Sequence, residues 1–126
     1  MAQDNNRDII ILKKILRYIS EIKRIIEKFN IKSHTDLENE YIALSSATQT
    51  VTNVNELKKA LDEKILKKIP IFEKIKTNTK RNIASHDYDS ISSFAVYSVI
   101  TKLVSDENIK EIEAVINEIA NESAEQ

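Results

Sequence analysis

The chain has no glycine, no cysteine, no tryptophan and a single proline, Pro70, among its 126 residues. The absence of glycine excludes a glycine-rich phosphate loop and argues against a strand-and-turn architecture, whose tight turns lean on that residue. The absence of cysteine excludes disulfides, thiolate zinc sites and cysteine nucleophiles. No apolar run approaches the roughly 18 residues that cross a bilayer. The N-terminus Met1-Ala2-Gln3-Asp4-Asn5 lacks the basic-then-apolar pattern of a signal peptide, so a soluble cytoplasmic protein is expected. The length suits one domain, 1–126, with one core and no large enclosed pocket. There is no internal repeat and no low-complexity linker.

What is present is a Lys/Ile/Glu-rich text with helical periodicity, and the chain reads as all-α. From about Arg7 to Phe29 the apolar residues Ile9, Leu12, Ile15, Ile19, Ile22 and Ile26 recur every three or four positions, which predicts one long amphipathic helix. Ser33 and Asp36 have capping-box spacing and open a second helix. Its stripe, Leu37, Tyr41, Leu44, Thr48 and Val51, continues toward Leu57, Leu61, Ile65 and Ile69, with a break expected near Asn53 or Asn55. Pro70 suits a helix's first turn, so a third helix is expected from there through Phe72, Ile75 and Thr79 toward Ala84. Asp87, Asp89 or Ser90 caps a fourth, carrying Ile91, Phe94, Ala95, Ile100, Leu103 and Val104. Ser105 or Asp106 caps a last one with Ile109, Ile112, Val115, Ile116 and Ile119, and the polar tail 121–126 is expected to fray. The sum is a bundle of four or five helices. The apolar content of the first helix also suggests a partner face.

Charge is near balance overall and unevenly placed along the chain. Residues 56–81 carry nine Lys/Arg (Lys58, Lys59, Lys64, Lys67, Lys68, Lys74, Lys76, Lys80 and Arg81) against four acids, whereas residues 82–126 carry two Lys against nine acids. A basic stretch suits an anionic polymer, and it also suits an ordinary solvated helix face. This one runs straight into Arg81-Asn82-Ile83-Ala84-Ser85-His86-Asp87-Tyr88, which gathers a fixed cation, an imidazole and a phenol into eight residues.

Those are the parts that RNA cleavage needs. RNA carries its own nucleophile, the 2′-hydroxyl, so a catalyst supplies a base that titrates near neutrality and a cation for the charge that builds on phosphorus. His86 suits the first role, and Arg81, whose planar fork binds phosphate oxygens in pairs, suits the second. In an unbroken helix Arg81 and Tyr88 share a face, while His86 lies about 140° round the axis from Arg81. Either the helix ends near Ser85, or the arginine reaches around, or a second copy supplies the complementary group. Each residue has an ordinary reading as well: His86 beside a helix end, Tyr88 as a half-buried aromatic, Arg81 paired with Asp87 or Asp89.

The spacing of Arg81, His86 and Tyr88, with the polar Asn82 after the arginine, Pro70 and Phe72 before it and Asp87 to Ile91 after it, resembles the signature of the HEPN superfamily, in particular of HepT-like toxins. The chain departs from that pattern in having no glycine in the second helix and no tryptophan after the proline. The resemblance implies a HEPN-like bundle, two-fold dimerisation and a composite cleft with metal-independent endoribonuclease activity. Arg81 and His86 would be catalytic, Lys80, Asn82 and Tyr88 would bind RNA, and neither metal nor cofactor would be needed. It further implies a type II or type VII-like toxin-antitoxin pair. The partner would be a nucleotidyltransferase antitoxin able to transfer AMP to Tyr88. The alternative is a non-catalytic HEPN-type module that binds a nucleotide or a nucleotidyltransferase partner; a purely structural bundle is a third reading.

Other candidates are weaker. His34 sits beside a cap and reads as a surface residue, and Tyr18, Tyr41 and Tyr97 lie on or beside apolar stripes and read as core or interface. Two distant histidines and no cysteine give a metal site little support.

Overall fold

The structure, a computed structural model, describes residues 2–74 and 93–125, with side chains over 6–73 and 93–122. The described residues form a helical bundle and contain no strand. Helix α1 (Ala2–Lys28) begins earlier than its apolar stripe requires. Leu12, Ile15, Ile19 and Ile22 are almost wholly removed from solvent. Each such side chain stabilises the fold by about 1.5–3 kcal/mol. The helix ends on Asn30, whose φ of 55° is left-handed. Ile31 N–H donates to the Ile26 carbonyl at 2.9 Å and Asn30 N–H to the Glu27 carbonyl at 3.3 Å, the paired closure in which glycine is usual. In a chain without glycine, asparagine takes that position, and Ile31 seats in the core beside Ile26.

Helix α2 (His34–Asn39) opens on Ser33, as its spacing predicted: Ser33 Oγ accepts from Asp36 N–H at 3.1 Å, and Asp36 Oδ2 accepts from Lys32 N–H at 2.9 Å. It ends after six residues. Glu40 is extended (φ −111°, ψ 93°), so α3 (Tyr41–Lys58) is a separate helix with a different inner face. Of the expected stripe Val51 is fully buried, but at Tyr41 and Thr48 it gives way to Ala43, Ala47 and Val54, also fully buried, and Tyr41 is 80% exposed. The small alanines belong to a core cluster with Ile22, Leu37, Val96 and Ile100, and neither Asn53 nor Asn55 breaks the helix. Beyond Lys58 the expected continuation is split again, into α4 (Glu63–Leu66), capped by Asp62 Oδ1, and α5 (Pro70–Lys74), which Pro70 starts as anticipated.

Helix α6 (Ser93–Leu103) buries Ser93, Val96, Ile100 and Leu103. Phe94, which the sequence placed on the apolar stripe, is rotated away and 63% exposed. Helix α7 (Asp106–Glu125) is capped by Ser105, whose Oγ accepts from Asn108 N–H at 3.2 Å, and the tail expected to fray is helical as far as it is described, to Glu125. Helix α1 packs against α3 and α7, and α6 against α2 and α3. One core cluster joins the N-terminal half of α1 to α4, α5 and α7; a second joins its C-terminal half to α2, α3 and α6. No helix among the described residues is long and apolar enough to cross a membrane.

Candidate functional site

Lys80, Arg81, Asn82, His86 and Tyr88 lie outside the described residues, as do the cap candidates Asp87, Asp89 and Ser90. The expected continuation of the third helix through Ile75 and Thr79 toward Ala84 also lies outside them; the fold describes α5 as far as Lys74 and α6 from Ser93. The start of α5 is held by an unusual contact: Lys58, only 4% exposed, sends its ammonium to the Phe72 carbonyl at 2.8 Å. A cation-to-carbonyl bond of this length is among the stronger hydrogen bonds and fixes α5 against the end of α3. One helical turn earlier on α3, Asn55 is buried with neither amide atom bonded to any described residue. On the facing helix the buried Asp8 accepts from Asp62 N–H at 3.2 Å, which ties α1 to the entry of α4. Three buried polar side chains, Asp8, Asn55 and Lys58, therefore belong to the end of the core that contains α5.

These contacts revise the basic stretch. Lys58 is buried rather than solvent-facing, Lys59 pairs with Glu56 at 3.1 Å, and Lys68 pairs with Glu118 of α7. Lys64 and Lys67 remain exposed. Among the described side chains the denser cationic surface is on α1, where Arg7, Lys13, Lys14, Arg17 and Arg24 all face solvent. Its signal was present in the sequence as the polar positions between the apolar repeats of the first helix. The partner face expected from that helix's apolar content is not apolar: of its large hydrophobic residues with described side chains, Ile10 alone is exposed.

His34 is at the surface, as expected, and meets Phe94 edge-on with ring centroids 5.4 Å apart. Tyr18 and Tyr97 are partly buried against the first and second core clusters, unlike Tyr41. Among the described residues there is no group of three His, Cys, Asp or Glu side chains able to hold a metal ion. Shallow grooves lie among the described residues. One, about 440 Å³, lies between Pro70 and Ile71 and the α6–α7 turn; another, about 490 Å³, runs along α1 past Arg7, Ile10 and Lys14. The first includes Asn108, whose Nδ2 donates to the Leu103 carbonyl at 2.9 Å and so braces the turn. No protein-family model matches the chain, and no curated protein or solved structure matches it.

Proposed function

We propose that this protein is a metal-independent endoribonuclease toxin of the HEPN type, acting in the cytoplasm as a two-fold dimer and restrained by a nucleotidyltransferase antitoxin. The observation that carries the reading is the spacing of Arg81, His86 and Tyr88 in a chain whose described residues form a helical bundle without strands and include a helix started by Pro70 ahead of the motif in sequence. His86 of one copy takes the proton of the 2′-hydroxyl while that oxygen bonds to phosphorus. The bond from phosphorus to the 5′-oxygen breaks, and His86 of the other copy, entering protonated, gives its proton to the leaving oxygen. Arg81 meets the charge on the phosphoryl oxygens, and Lys80, Asn82 and Tyr88 hold the strand. The products are a 2′,3′-cyclic phosphate and a 5′-hydroxyl, so atoms balance without water, metal or cofactor. Transfer of AMP from ATP to the Tyr88 phenol, with release of pyrophosphate, would place a bulky anion where RNA binds.

Incubating wild-type protein and His86→Ala with cellular RNA in EDTA tests the reading. Wild type is expected to leave cyclic-phosphate ends and His86→Ala to leave the RNA intact. An unmodified, folded wild type that cuts nothing would move the assignment to a non-catalytic module that binds a nucleotide or a nucleotidyltransferase partner.

A further inference from the structure

We infer that the outer face of α1 is a track for the phosphate backbone of single-stranded RNA, made by Arg7, Lys14 and Arg17 with Lys13 and Arg24 beside them. The choice of RNA rests on the ribonuclease reading; the track itself rests on the surface. All five cations are exposed, and over residues 6–20 no carboxylate is: the one acid there, Asp8, is buried and accepts from Asp62 N–H. The next acid along the helix, Glu21, is exposed and lies 3.7 Å from Arg17, at the far end of that interval. At about 1.5 Å per residue the one-signed run from Arg7 to Arg17 extends over about 15 Å, with Arg24 beyond Glu21. Solubility asks only for charge of mixed sign, whereas a one-signed strip builds a field that concentrates a polyanion.

The shape of the surface narrows the occupant. The groove of about 490 Å³ beside this strip is lined by Asn6, Arg7, Ile10, Ile11, Lys14 and Ala60, with no acid among them. A protein partner needs about 800 Å² per side with an apolar centre, and this face offers one exposed large apolar side chain, Ile10, at 55%. A bilayer-seeking helix needs an apolar face to insert, and that of α1 is committed to Leu12, Ile15, Ile19 and Ile22 of the core. A phosphate chain needs neither. It takes its affinity from cations, tolerates their uneven spacing, and can lay a base or ribose on Ile10.

The test is fluorescence anisotropy of a labelled oligouridylate of about twenty nucleotides at about 50 and 200 mM salt. Full-length His86→Ala protein is used so that binding is read without cutting. Adding Arg7→Glu, Lys14→Glu and Arg17→Glu is expected to weaken binding at least tenfold and to flatten the salt dependence by about two log units per log unit, at about 0.7 per phosphate contact. The glutamine versions of the same three positions are expected to act in the same direction, and serve if the glutamate version loses its helical circular dichroism. Lys110→Glu, on the outer face of α7, is expected to change little. Unchanged affinity and salt slope in a folded triple variant would overturn the inference, as would wild-type binding to anionic vesicles with none to the oligonucleotide. Protein with His86 intact that binds the strand through this face without cutting it would uphold the track and defeat the ribonuclease reading.

Discussion

Helices α1 and α7 lie side by side and bury the same kind of inner face, Leu12, Ile15 and Ile19 on one and Ile112, Val115 and Ile119 on the other, yet their outer faces differ in sign. The solvent side of α1 shows Arg7, Lys13, Lys14, Arg17 and Arg24 with two acids, Glu21 and Glu27, toward its C-terminal end; that of α7 shows Glu107, Glu113, Glu118 and Glu122 with one lysine, Lys110. Packing accounts for the inner faces completely and is indifferent to the outer ones, because an exposed charge of either sign keeps a helix soluble. The difference between the outer faces is therefore where information about partners resides.

The most damaging way to probe the shared inner face is truncation. Leu12→Ala and Ile112→Ala remove side chains with no solvent exposure from the same cluster, and each is expected to lower unfolding free energy by about 2–5 kcal/mol. Urea denaturation checks this, and a loss below about 1 kcal/mol at either site would show that the two faces are not equivalent. Next in size is Asn55, a polar group within the end of the core that also holds Asp8 and Lys58. Leaving an amide buried without a partner costs about 1–3 kcal/mol, so Asn55→Leu is expected to raise stability by about 1 kcal/mol. A decrease in the same urea experiment would show that the amide is engaged.

The smallest effect is at the seam where basic and acidic surfaces meet. The hydrogen bond from Lys68 to Glu118, with that carboxylate's charge, holds the Lys68 ammonium above its ordinary value. A raised folded pKa contributes stability that is fully present below the unfolded value of about 10.4 and is lost as pH rises through the higher folded value. Because both side chains are more than a third exposed, the contribution is expected to be about 0.5 kcal/mol or less and to shrink with salt. Lys68→Met should narrow, by about 0.5 kcal/mol or less, the difference between stabilities measured at neutral pH and above about pH 10.5. An unchanged difference in Lys68→Met would show that this pair contributes nothing to it.

Much of this architecture was legible in the text of the chain. The first helix, the Ser33 cap, the helix start at Pro70 and the Ser105 cap each follow from local chemistry that acts within a few residues, and each is present. The misreadings arose where local pattern was overridden by packing. Periodicity identifies an apolar face only while the helix stays straight, and one extended residue, Glu40, reset the register so that Ala43 and Ala47 face inward where Tyr41 was expected. Phe94 is a similar case: its size suggested core, but Val96, Ile100 and Leu103 define the buried face. The burial of Lys58 depends on a carbonyl fourteen residues away, which no local pattern announces. The Arg81, His86 and Tyr88 segment was the clearest functional signal in the sequence, and its chemistry is argued from residue type and spacing.

The most direct measurement of the central claim follows one RNA strand and its analogue with 2′-deoxy sugars in EDTA, each with wild-type protein and with His86→Ala. Cleavage of the RNA alone, by wild type alone, leaving a 2′,3′-cyclic phosphate, is the predicted result. Cleavage of the deoxy strand, or equal cleavage by His86→Ala, would contradict it.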